Sequence, residues 1–147
     1  MTSLPLKPGY ERVYTVNEYY DGPRNGIADY RGEPHLYECI FDESKRNYSE
    51  LFRLSPIDAQ IFQMALEDWE IFRRWELPYH TGKIDATTHP ALPNEKQRHQ
   101  ELQSVLLDAL VLDPHKSITC IGEFLPIGSE ALPKGILRSL QVKWRKL

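Results

Sequence analysis

The sequence predicts an α+β protein: an antiparallel sheet of about five to six strands, curved into an open sheet or a partly closed barrel, with a two-helix insertion packed on one face. Three observations lead there. Segments rich in β-branched and aromatic residues, with alternating polarity, lie near both ends of the chain. Two segments between them repeat their apolar residues at helical spacing. Gly-rich turns punctuate the strands and would curve the sheet.

At 147 residues the expected organisation is one domain, 1–147, with 1–9 as an extended lead-in carrying Pro5, Pro8 and Gly9. Arg12–Tyr20 then reads as a strand, with Tyr14, Val16, Glu18 and Tyr20 on one face. Asp21-Gly22-Pro23 and Asn25-Gly26 are both turn signals, and Ile27–Tyr30 follows as a short strand. Arg31-Gly32-Glu33-Pro34 reverses the chain again. The return strand runs from His35 to Phe41, with His35, Tyr37, Cys39 and Phe41 as its expected core face. Tyr48–Leu54 is read as a fourth strand.

Ser55 as N-cap, Pro56 at the first helical position and Asp58 in the first turn would open a helix. Ile61, Phe62, Ala65, Trp69 and Phe72 form its apolar face, and Pro78 is expected to stop it. An irregular connection follows to Pro93. Asn94 with Gln97 suggests a capped second helix, whose Leu102, Val105, Leu106, Ala109 and Leu110 fit the amphipathic template. Ser117–Leu125 and Ile136–Lys146 complete the sheet. In the last strand Leu140, Val142 and Trp144 face the core, opposite Gln141, Lys143 and Arg145.

Composition narrows the functional classes. A net charge of −3 argues against non-specific nucleic-acid binding as the main role. No apolar run is long enough for a membrane span, and residues 1–10 lack a secretory leader pattern, so a cytoplasmic setting is expected. The two cysteines, Cys39 and Cys120, lie far apart in apolar runs and read as small buried hydrophobes.

The densest polar segment is Tyr19–His35, which holds three of the eight glycines and so gathers side chains at two chain reversals. Tyr20, Asp21, Arg24, Asn25, Asp29 and His35 are its candidate binding residues. Arg24 offers a planar fork for an anionic ligand. A carboxylate from Asp21 or Asp29 beside His35 would suit acid–base chemistry. Turn chemistry explains the same residues without a site, because Asp, Asn, Gly and Pro are what reversals need. Strand parity pulls His35 toward the core, leaving the first turn as the better binding candidate. Trp75, near the end of the first helix, is a candidate partner anchor if exposed.

His80, Asp85 and His89 could hold zinc, but their spacing matches no recognised ligand pattern. No phosphate-binding loop and no nucleophile elbow occurs. The basic run Arg138, Lys143, Trp144, Arg145 and Lys146 reads as the wet face of a strand rather than a nucleic-acid grip.

The expectation is therefore a non-enzymatic interaction protein with no cofactor and a protein partner. Its concrete version is an immunity- or antitoxin-like inhibitor docking an acidic face (Asp42, Glu43, Glu67, Asp68, Glu70) on a basic partner. The alternative is a small hydrolase or isomerase using His35 with Asp21 or Asp29. A homodimer through an unpaired edge strand is left open.

Overall fold

A computed structural model describes residues 5–129 and 131–147. Its strands are β1 (Glu11–Tyr19), β2 (Pro23–Tyr30), β3 (Glu33–Asp42), β4 (Asn47–Pro56), β5 (Ile118–Pro126) and β6 (Leu140–Lys146). They form a closed antiparallel barrel in chain order, with β1 returning to pair with β6. Helices α1 (Ala59–His80) and α2 (Lys96–Ala109) lie between β4 and β5 in the chain. The fold is thus α+β with a closed barrel, as the alternating segments at both ends imply. Closure leaves no whole strand edge of the kind on which strand-mediated dimerisation was to rest.

The chain divides into two compact units. The barrel unit contains the chain up to Ile57, Val111–Ser129 and Ser139–Leu147. The helical unit contains Asp58–Leu110 and residues 131–138. Of the lead-in expected at 1–9, residues 1–4 lie outside the described residues. Its continuation is tied to the barrel by Lys7 N–H, which donates to Gln141 Oε1 at 2.8 Å.

The barrel interior is filled by side chains on alternate strand positions. Ala28, Tyr37, Cys39, Phe52, Leu54, Cys120 and Val142 form the buried cluster. Four rings meet there. Tyr37 lies 5.3 Å from Phe124, 6.0 Å from Phe52 and 6.1 Å from Trp144, centroid to centroid. Two polar ends are anchored on backbone: Tyr37 Oη–H donates to Thr15 O at 3.0 Å, and Trp144 Nε1–H to Asp29 O at 2.9 Å. Gly122 makes room for the rings, since a Cβ there would stand 2.6 Å from Trp144 and 2.9 Å from Phe52.

Several boundaries differ from the sequence reading. Asn25 and Gly26 are not a turn but lie in β2, paired with Glu38 and Tyr37. The reversal falls at Tyr20–Gly22, where Asp21 takes φ 54° and Tyr20 N–H donates to Gly22 O at 2.9 Å. Phe41 is not on the core face. A register shift between Cys39 and Phe41 turns it outward, 42 % exposed. Gln141, expected in water, is buried, held by Lys7 N–H and by its own Nε2–H bond to Pro126 O at 3.2 Å.

In the helical unit the N-cap of α1 is Asp58, not Ser55. Asp58 Oδ1 accepts from Gln60 N–H at 2.8 Å and Ile61 N–H at 3.3 Å, because β4 keeps Ser55 and Pro56 extended. Pro78 does not stop α1, which continues to His80. Two short 3-10 turns, Ala86–Thr88 and Pro93–Glu95, lead to α2, whose start has no side-chain cap, so Asn94 does not serve as one. Leu102 and Leu106 of α2 are buried, whereas Val105 is 40 % exposed.

Polar side chains tie the two helices together. Arg98 forks onto Glu67 at 2.6 and 2.8 Å, and Asp68 accepts from His99 Nδ1–H and Gln103 Nε2–H, both at 2.6 Å. Residues 131–138 lie along α1. Arg73 Nη1–H donates to Leu137 O at 3.0 Å and to Glu76 Oε1 at 2.6 Å, and Gly135, at φ 93°, rests against the His80 ring.

Glu76 is only 4 % exposed. Burial pushes its carboxyl pKa up, opposed by the Arg73 guanidinium and the Leu137 backbone. A raised folded pKa means the folded state holds the proton more tightly than the unfolded chain. Stability is then greatest below about pH 4.5 as far as this group is concerned, and falls as pH rises through the folded value. Glu76→Gln should flatten that part of the profile, measured by urea denaturation from pH 4 upward. An unchanged slope would contradict the assignment.

Candidate functional site

The rim of the barrel at the β1–β2 turn and the β3–β4 end brings together the clearest surface feature of the barrel unit. Arg24, at the start of β2, is fixed by its own turn. Nε–H donates to Tyr20 O and Nη2–H to Asp21 O, both at 2.8 Å, and Nη1 lies 3.6 Å from Cys39 Sγ. Its guanidinium stands 4.4 Å from the Tyr48 ring centroid, a cation–π stack. Phe41 meets Tyr48 edge-on at 5.2 Å, and Tyr20 lies 6.4 Å from it. Tyr20 is 69 % exposed and its neighbour Tyr19 57 %, so the rings form a solvent-facing patch.

Beside the patch opens a cleft of about 490 Å³. Strand register explains its polar lining. Glu18 pairs with Asn25, Asn25 with Glu38, and Glu38 with Arg53, so one row of outward side chains crosses four strands. Glu18, Asn25, Glu38 and Arg53 all line the cleft with Arg24 and Tyr48. Glu18 accepts a long bond from Tyr48 Oη–H at 3.5 Å, and Asn25 Oδ1 accepts from Asn17 Nδ2–H at 3.4 Å. Burial raises the pKa of the Cys39 thiol that lines the cleft, against the lowering effect of Arg24.

The structure therefore brings Tyr20, Arg24 and Asn25 together and places Asp21 in the same turn. Arg24 is not a free anion fork, because its turn carbonyls and Tyr48 occupy it. Asp29 and His35 go elsewhere. His35 pairs with Ala28 of the interior face, while Asp29 pairs with Pro34 on the opposite face. Asp29 Oδ2 accepts from Tyr14 Oη–H at 2.9 Å, and His35 Nδ1–H donates to Glu33 O at 2.8 Å. Burial, then the bond to Asp29, pushes the Tyr14 hydroxyl pKa up to about 12. Burial also raises the Asp29 carboxyl pKa. No hydrogen bond joins His35 to Asp29 or Asp21 among the described residues, and the imidazole acts on the Asp29 carboxyl only through space.

Trp75 is not exposed either. It is 3 % exposed, donates Nε1–H to Thr88 Oγ1 at 2.7 Å, and stacks on Tyr79 at 4.6 Å. It belongs to the helical core, and the partner anchor expected there is corrected. Asp85 caps the turn at Ala86–Thr88 through Thr87, while His89 packs edge-on against Trp75 at 4.8 Å and His80 against Tyr79 at 4.9 Å. No group of three potential metal ligands gathers among the described residues. The acidic residues expected to form a docking face are partly engaged: Asp42 caps its turn through Ser44, and Glu67 and Asp68 bond α2.

Sequence reasoning missed Phe41, Tyr48 and Glu18 as rim residues. The bulge that exposes Phe41 and the register that aligns the row leave no local signature. Among the described residues no helix is long and apolar enough to cross a membrane. The chain matches no family model, no curated protein and no solved structure.

Proposed function

We propose that this chain is a non-enzymatic protein-binding module, acting in the cytoplasm, whose contact surface is the barrel rim. The observation that carries this reading is the aromatic patch of exposed Tyr20 and Phe41 around half-buried Tyr48, on which a pre-ordered arginine stacks. Exposed aromatics and arginine are the residue types that anchor protein interfaces. Pre-ordering Arg24 and Tyr48 reduces the ordering cost on association. An immunity- or antitoxin-like inhibitor of a basic partner is the concrete form, with Glu18 and Glu38 as the acidic groups beside the patch.

The test replaces Tyr20 by a photo-crosslinking amino acid in cells and compares it with the same replacement at exposed Leu107 on α2. A defined protein adduct from position 20 alone, weakened at least about tenfold by Phe41→Ala, is expected for an anchor residue. Equal labelling from both positions would remove the rim as the contact surface.

A further inference from the structure

We infer that residues 131–138 form a pH-sensitive strap on α1, latched through Glu76 and released as that carboxyl loses its proton. The strap lies between β5 and β6 in the chain, and its base is closed by Ile127 N–H, which donates to Ser139 O at 2.8 Å. Residues 131–138 contain no helix or strand, so side chains of α1 hold them where a backbone ladder would otherwise. Two of these side chains grip one strap residue by its backbone. Arg73 Nη1–H donates to Leu137 O at 3.0 Å, and the Glu76 carboxyl accepts from Leu137 N–H. Arg73 also bonds Glu76 Oε1 at 2.6 Å, so a single ion pair serves both grips. One turn further along α1, the His80 ring supports Gly135, whose φ of 93° suits a residue without a Cβ.

The latch is proton-linked because the closed strap keeps Glu76 out of water. Arg73 and His80, both on α1, are the charged groups that act on its carboxyl; the strap presents the Leu137 N–H, and its own charged residues are Lys134 and Arg138. Burial outweighs these partners and raises the Glu76 pKa in the closed state. With the strap lifted, the carboxyl meets water and titrates in the ordinary glutamate range. The closed strap therefore binds the proton more tightly than the open one. This contribution to closure is fully present below the ordinary glutamate value and is lost as pH rises through the raised one.

The experiment follows amide hydrogen exchange of the ¹⁵N-labelled protein by NMR between about pH 5 and about pH 8, corrected for intrinsic exchange rates. The opening constant at Leu137 is expected to exceed that at Ile71 of α1 by at least about tenfold, because the strap lifts without unfolding the helix. It should also increase at least about threefold over the pH range. E76Q keeps an acceptor for Leu137 N–H but no charge to titrate, so its Leu137 opening should not vary with pH. G135A, whose Cβ would meet the His80 ring, should raise Leu137 opening at both ends of the range. If Leu137 and Ile71 share one opening constant, the strap leaves only when the helical unit unfolds and is no latch. Opening at Leu137 that is independent of pH in the parent would also overturn the inference. Dependence that survives in E76Q would assign the titration to His80 and remove Glu76 from the device, and a G135A protein with unchanged opening would show that the strap is not seated on His80.

Discussion

Trp75→Ala is expected to lower the stability of the helical unit by about 3–5 kcal/mol, the range for truncating a buried aromatic. The ring fills the space between Tyr79, Phe72 and His89, and its Nε1–H satisfies the Thr88 hydroxyl. Neither stacking nor hydrogen bond survives truncation. Trp75→Phe should retain most of the packing and lose the hydrogen bond, about 1 kcal/mol. Urea denaturation followed by far-ultraviolet circular dichroism separates the two. If both variants fell within a few tenths of a kcal/mol of the parent, Trp75 would have to be a surface residue after all.

Gly26→Ala is expected to destabilise the barrel by on the order of 3 kcal/mol, although it adds a single methyl group. A Cβ at position 26 would meet the Thr15 carbonyl and stand 2.6 Å from Tyr37 Oη and 2.8 Å from Tyr37 Cζ. Backbone cannot withdraw cheaply, and Tyr37 is pinned by the same carbonyl at 3.0 Å inside the ring cluster. Tyr37→Phe in the Gly26→Ala background should recover part of the loss by removing the hydroxyl, a non-additive pair. Denaturation of the two single variants and the double variant would show it. Strict additivity would exclude the direct clash.

The parts of the fold that were legible in the sequence are those decided locally. Alternation around Tyr37 and Cys39, and around Val142 and Trp144, marked the interior face correctly because a pleated strand forces it. Helical spacing located both helices for a similar reason. What failed was decided by tertiary context. Asn25-Gly26 has strong turn chemistry, yet Gly26 is needed where β1 bulges against β2 and Tyr37 reaches across. Ser55-Pro56 reads as a helix start, but Ser55 Oγ accepts the Asp113 N–H at 3.3 Å within the barrel unit, and the start passes to Asp58.

The candidate site was legible only in part. Tyr20, Arg24 and Asn25 stand close in sequence, so a turn signal found them. Their partners Phe41, Tyr48, Glu18 and Glu38 arrive through strand register, which depends on bulges that no single residue announces. Trp75 was misplaced because it stands near the end of α1, on a helix dense in charged residues. Instead Arg74 bonds Glu95 and Glu76 is buried against Arg73, leaving the indole to the core.

The pairing of β1 with β6 rests on two residue pairs, Glu11 with Val142 and Arg12 with Gln141. It makes the barrel a ring of six strands in which five junctions are covalent and one is not. The beginnings of β1 and β6 are neighbours there, as the Lys7 bond to Gln141 records. The order in which the strands are numbered is therefore arbitrary to the packed barrel. A linker across that junction, with the chain opened at Arg31-Gly32, would keep every strand neighbour and carry the rim hairpin intact to a different place in the sequence.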